Sequence, residues 1–255
     1  MSRERWQKLL AAALAVAVWQ GASMLVHSAI LLPSPLQVAV RLGALAATPG
    51  FWSTIGFSLL RIAGGFLLAL ITATVLAFVL ALAAGRWPVV EVLLRPYVLA
   101  IKSVPVASFI ILALIWLRSS QLSLFISFLM VFPVLYTNVL AGIRSADGQL
   151  LEMAQVFWVP WKCRVRMIYL PAVEPFLLAG SATALGMIWK AGVAAEVIGV
   201  VGGSLGERLY DAKIYLMTAD LLAWTVVIVA LSAGFEKLIL WLLGRAFRRI
   251  GGAGA

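Results

Sequence analysis

The sequence is poor in the side chains that carry chemistry. Among 255 residues there is one cysteine, Cys163, and one histidine, His27. A single cysteine excludes an intrachain disulfide. No closely spaced His, Cys or carboxylate pair offers a metal centre or a hydrolytic site. His27 lies near the outer end of the first apolar run and reads as an interfacial residue. No Gly-x-x-x-x-Gly-Lys-Ser/Thr segment is present to cradle nucleotide phosphates. Charge is scarce as well, at 12% of residues, with 10 acidic against 20 basic. The resulting net charge of +10 does not point to nucleic acid, because the cations are scattered over short loops instead of gathered on one face.

What is abundant is apolar sequence: 64% of residues are hydrophobic and the mean hydropathy is +1.06. That excludes an ordinary soluble domain, and several runs reach the ~20 residues that a bilayer span needs. The expected class is all-α and polytopic, with six transmembrane helices. Their expected ranges are Leu9–Leu31, Thr54–Ala84, a proline-interrupted segment from Val89 to Leu117, Leu122–Ile143, Ala172–Val197 and Ala219–Leu243. The third is expected to break at Pro96 and at Pro105, since proline removes a helical donor and clashes with the preceding turn. Gly85-Arg86-Trp87-Pro88 is expected to end the second. The basic start, Met1 to Lys8, precedes an apolar run without a good small-residue cleavage site, so the first span reads as uncleaved.

Six spans place both termini on one side. Fourteen of the 20 Lys and Arg residues fall on that side and four on the other, with Arg61 and Lys190 inside spans. The bias predicts that the termini are cytoplasmic.

One stretch differs in character. Glu152 to Pro171 holds Lys162, Arg164 and Arg166, with a turn at Trp158-Val159-Pro160. Pro160 and Pro171 disfavour helix before them, so two short helices with a bend are expected, outside the hydrocarbon. Glu152, Ala154, Ile168, Leu170 and Pro171 fall in register on the pattern Glu-Ala-Ala, three residues, Gly, nine residues, Ile-x-Leu-Pro. Met153 and Trp158 depart from it, Trp158 standing at the Gly position. The spacing resembles the coupling loop of ABC importer permeases. Leu32-Pro33-Ser34-Pro35, Ser58 to Phe66, Lys102-Ser-Val-Pro105 and Val193 to Gly199 follow in order, resembling the permeases for nitrate, sulfonate, taurine and bicarbonate.

The resemblance implies a type I ABC importer permease-like fold in the bacterial inner membrane. Residues 1–53 would hold the first helix and an outer segment, 54–243 the core with coupling loop 144–171, and 244–255 a basic cytoplasmic tail. It implies no catalysis and no cofactor in this chain. ATP and Mg would be bound by two partner ABC ATPase subunits. A second permease copy, an extracytoplasmic substrate-binding protein and membrane lipid would complete the partners, without nucleic acid. Glu152, Ala154, Phe157, Trp158, Pro160 and Trp161 would contact the ATPase.

Charges inside spans are expensive and must face protein or water. Arg61, Trp189, Lys190 and Glu196 are therefore pathway candidates, Arg61 alternatively packing against carbonyls or Glu196. Gly180 and Ala184 form a small-residue stripe that would let two copies of the fifth span approach. The expected solute is a small organic or inorganic anion. A neutral ring compound such as a pyrimidine vitamin precursor is the alternative within the same transporter type. An uncoupled channel or scaffold is the alternative of another class.

Overall fold

The computed structural model describes residues 3–84 and 89–251, and every regular element among them is helical. Helix α1 (Arg3–Val26) leads to α2 (Pro35–Ala46) and α3 (Pro49–Ala84). Next come α4 (Val89–Ser103), α5 (Val106–Trp116) and α6 (Ser119–Arg144). The loop holds α7 (Gly148–Val156), α8 (Trp161–Arg164) and a π-helical turn (Val165–Tyr169), which passes directly into α9 (Leu170–Ile198). Then α10 (Leu205–Ile214) and α11 (Thr218–Gly251) complete the described chain.

Among the described residues, four helices are long and apolar enough to cross a membrane: Pro49–Ala81, Ser119–Arg144, Trp161–Ile198 and Thr218–Arg249. A fifth is reached if Pro96–Ser103 and Val106–Trp116 count as one span, bent by 103°. The described residues thus give four or five of the six expected spans. Helix α1 ends at Val26 instead of Leu31. His27 takes a left-handed backbone, φ 51°, and the chain then doubles back along the helix. Trp19 Nε1 donates to the Pro33 carbonyl at 3.1 Å and Ser23 Oγ to the Leu32 carbonyl at 2.9 Å. The bent pair also departs from expectation: Pro96 sits inside α4, and the break falls at Val104-Pro105 alone. The proposed stop at Gly85–Pro88 lies outside the described residues.

The bundle is α3, α6, α9 and α11, with α6 packed most extensively against α9 and α3. On α3, Ile62, Phe66, Ala69, Ala73 and Ala77 are fully buried at helical spacing, while Leu60, Ile71 and Val75 face outward. Lipid is as apolar as leucine, so close helix contact in a bilayer rests on packing of small residues. Gly180 is such a contact: a Cβ there would lie 2.8 Å from the Asn138 side chain of α6. Ala184 is fully buried too. The Gly180–Ala184 stripe thus packs inside the chain and is not left open for a second copy of α9.

The end of the bundle away from the loop is tied by polar contacts. Ser34 caps α2 in a reciprocal box with Gln37. Arg41 of α2 donates from Nε to Asp220 Oδ1 and from Nη2 to Asp220 Oδ2 at 2.9 Å. That carboxylate, in the first turn of α11, raises the Arg41 pKa above its ordinary value.

Candidate functional site

The loop between α6 and α9 is built by two local devices. Asp147 caps α7, its Oδ1 accepting from Gln149 N–H at 2.8 Å. At the other end, Val159 N–H donates to the Ala154 carbonyl at 2.9 Å and Trp158 N–H to the Gln155 carbonyl at 3.1 Å. That pair of bonds is a Schellman ending, which needs a left-handed residue just past the helix. Trp158 fills it with φ 52°. The glycine of the sequence pattern therefore marks a backbone conformation that this chain reaches with tryptophan, at a cost of about 1–2 kcal/mol. Arg164 Nε donates to the Val159 carbonyl at 2.8 Å and holds the turn from beneath.

The second short helix expected here is the first turn of a longer one. Trp161–Ile198 is one continuous apolar helix, and Pro171 does not end it. Proline at 171 cannot donate to the carbonyl four residues back. The π turn absorbs this: Leu170 N–H donates to Val165, five residues back.

Of the residues picked from sequence, Glu152, Phe157, Trp158, Pro160 and Trp161 are exposed, and Ala154 is buried. Ala154 thus anchors α7 while its neighbours project. Trp158 is 88% exposed and Phe157 72%, an apolar ridge with Val156 beside it. Trp161, three residues beyond Trp158, is linked to the bundle by aromatic rings: it lies 5.7 Å from Tyr169, and Tyr169 meets Phe78 of α3 edge-on at 6.4 Å.

The four intramembrane candidates do not form one cluster. Glu196 is fully buried. Its Oε2 accepts from Ser58 Oγ at 2.8 Å and from Gly206 N–H at 3.2 Å, while Leu205 N–H donates to Ser58 Oγ at 2.9 Å. Leu205 and Gly206 open α10, so this carboxylate binds the start of α10 to α3 and α9. Gly206 is required there, since a Cβ would come within 2.3 Å of Glu196 Cβ. Ser123 lies beside the carboxylate, but its hydroxyl does not meet Oε1 in hydrogen-bond geometry. Arg61 donates from Nε to the Ser120 carbonyl and covers the Phe57 ring at 3.6 Å from its centroid. Trp189 is buried and meets Phe235 edge-on at 6.0 Å.

Lys190 is exposed and lines a groove of about 380 Å³ between α9 and α11, with Trp189, Val193, Ser232 and Glu236 among its walls. It also borders a smaller hollow of about 250 Å³ with Met130 and Met187. Glu236 was not among the residues picked from sequence. Its signal was present: a carboxylate within the last apolar run, which is rare in a span.

The family model for binding-protein-dependent transport system inner membrane components matches residues 73–251. The chain belongs to this family. Its members are transport components, here ABC importer permeases, and not enzymes. The permease shares 30% identity over 244 residues with the aliphatic sulfonates transport permease protein SsuC of Bacillus subtilis (strain 168), covering 93% of this chain and 86% of that one. It is 29% identical to the taurine transport system permease protein TauC of Escherichia coli (strain K12), over 84% and 78% of the two chains. It is 26% identical to the bicarbonate transport system permease protein CmpB of Synechococcus elongatus, over 75% and 68%. The loop and all of α9 lie inside the family match, as does the Lys190 groove. With several apolar helices, the permease is a multi-pass membrane protein.

Proposed function

We propose that this permease forms the translocation pathway of an ATP-driven importer for a small organic or inorganic anion of the sulfonate, taurine, nitrate or bicarbonate class. Two copies pair, an extracytoplasmic binding protein delivers the solute, and two ATPase subunits dock at the α7–α8 loop. Both termini lie in the cytoplasm, on the side of that loop. The observation that carries the reading is the Phe157–Trp158 ridge at the end of α7. Exposed aromatic surface on a rigid, capped turn is what a docking element presents to a partner. The ring contacts from Trp161 through Tyr169 to Phe78 give docking a route into α3. Closure of the ATPases then rocks the spans between outward- and inward-facing states.

Anion selectivity in the pathway rests on Lys190, an exposed cation on a span. One flexible ammonium attracts an anion without the bidentate grip that would trap it. Glu236 on the facing helix tempers that attraction.

The docking assignment is tested with Glu152→Lys. The variant is expected to insert and fold normally while losing most transport-linked ATP hydrolysis. An assembled mutant complex with normally stimulated hydrolysis would contradict it. A channel without energy coupling would show solute flux indifferent to both ATP and this substitution.

A further inference from the structure

Two charges of opposite sign stand inside long spans and line the same groove. Lys190 belongs to the apolar helix Trp161–Ile198 and Glu236 to Thr218–Arg249. Gly186 and Lys190 are four residues apart on α9, as Ser232 and Glu236 are on α11, so each pair lies on one helix face. The hollow of about 380 Å³ lies between these faces. Helices α9 and α11 are joined through the short α10 and run antiparallel, and the edge-on contact of Trp189 with Phe235 sets their register. Lys190 and Glu236 each follow that contact by one residue. One residue on each antiparallel helix is about 3 Å of axial offset between them, so the two charges stand at nearly one level.

Opposite charges at one level in a span ordinarily pair, because an unpaired charge there is costly. These two make no ion pair with each other, and neither has a hydrogen-bond partner among the described residues. Between them in the lining is Trp189, 2% exposed, whose Nε1 has no acceptor although a buried indole N–H usually finds one. Beside Lys190, one turn back, Gly186 leaves space: a Cβ there would meet nothing within 4 Å. A bare anion in this groove is attracted by Lys190 and repelled by Glu236, and a bare cation meets the reverse. A solute with both charges satisfies both walls. We propose that the α9/α11 groove recognises a short zwitterion, an oxyanion and an ammonium joined by a few carbons, with Lys190 holding the oxyanion and Glu236 the ammonium. This rests on the importer reading of the Lys190 groove and narrows it: Glu236 is a specificity-determining residue that disfavours anions without a cationic end.

The test uses the full-length permease in phosphatidylcholine nanodiscs and equilibrium dialysis of four radiolabelled probes: 2-aminoethanesulfonate, β-alanine, methanesulfonate and ethylamine. Wild type is expected to hold a zwitterion about tenfold more tightly than either single-charge probe, the gain from one further charge-assisted hydrogen bond. The first two probes separate a sulfonate head from a carboxylate. Glu236→Gln keeps the side-chain size and is expected to weaken the zwitterion about tenfold while methanesulfonate is held more tightly, since the repelling carboxylate is gone. The exchange Lys190→Glu, Glu236→Lys should restore part of the zwitterion binding. A folded Glu236→Gln permease that keeps the wild-type preference for zwitterion over methanesulfonate would overturn the site. Gel filtration sizes each variant; one that loses the second copy yet holds the zwitterion normally per folded chain would assign the charges to the contact between copies, and would also overturn it. Methanesulfonate uptake that depends on Lys190 but not on Glu236, with no zwitterion preference, would sink this proposal and leave the anion pathway. Anion uptake indifferent to Lys190, with 2-aminoethanesulfonate still held through both charges, would sink the pathway reading and leave this site.

Discussion

At the residue scale, two side chains do work that their chemistry alone does not announce. Trp158 was legible as the departure from a glycine pattern, but not as a left-handed residue, because one aromatic letter carries no backbone angle. Val200 shares that conformation at φ 44°, just past the end of α9. The two positions make a matched pair. Trp158→Gly and Val200→Gly should each stabilise the permease by about 1 kcal/mol, since glycine adopts this conformation freely. Only Trp158→Gly removes the exposed indole, so only it should reduce ATPase copurification. Thermal melts and pull-downs on both variants separate strain from docking, and equal pull-down would refute the docking role. Glu196 was legible as an acid in a span and was read toward the pathway, yet it lies in a closed network with Ser58 and Gly206. Those partners come from positions 138 and 10 residues away, and no local pattern joins them. Glu196→Ala strands the Gly206 N–H and the Ser58 hydroxyl. It should lower stability by about 2–3 kcal/mol, read as a falling melting temperature in detergent; an unchanged melt would show that the network is dispensable.

Among the elements, long apolar runs were the easiest feature to recognise and their ends the hardest. Leu9–Leu31 is uninterrupted in hydropathy, but Trp19 and Ser23 gain carbonyl partners only if the chain turns back after Val26. Pro96 and Pro171 read as breaks and are not; Pro105 reads as a break and is one. The difference is whether the surrounding turn can reassign the lost hydrogen bond, as the π turn does ahead of Pro171. The Gly180–Ala184 stripe was visible as small residues, while its partner on α6 was not, because composition does not say which helix comes close. The groove between α9 and α11 is where an element-scale prediction belongs. Lys190→Met should fold, keep the ATPase and slow anion uptake in proteoliposomes about tenfold, the loss expected when a focusing charge is removed. Lys190→Arg should retain part of the rate. Unaltered uptake per folded complex would leave Lys190 as a surface residue.

For the whole molecule, the family, the all-α class and the position of the loop were readable from motif order and charge. The shape of the third segment was not, because hydropathy counts apolar residues and not the bend of 103° that separates α4 from α5. The central claim is mechanical: the exposed ridge at the end of α7 is where a separate ATPase grips the permease. Cys163 is the single cysteine of the chain, so a Cys163→Ser background allows one new thiol at Trp158. Short bismaleimide cross-linking of Trp158→Cys permease in membranes containing the partner ATPase measures the contact directly. The account predicts one adduct with the combined mass of permease and ATPase, lost when the ATPase is absent and changed in yield by ATP. An intact, copurifying complex that gives no such adduct from Trp158 or from Phe157 would contradict it.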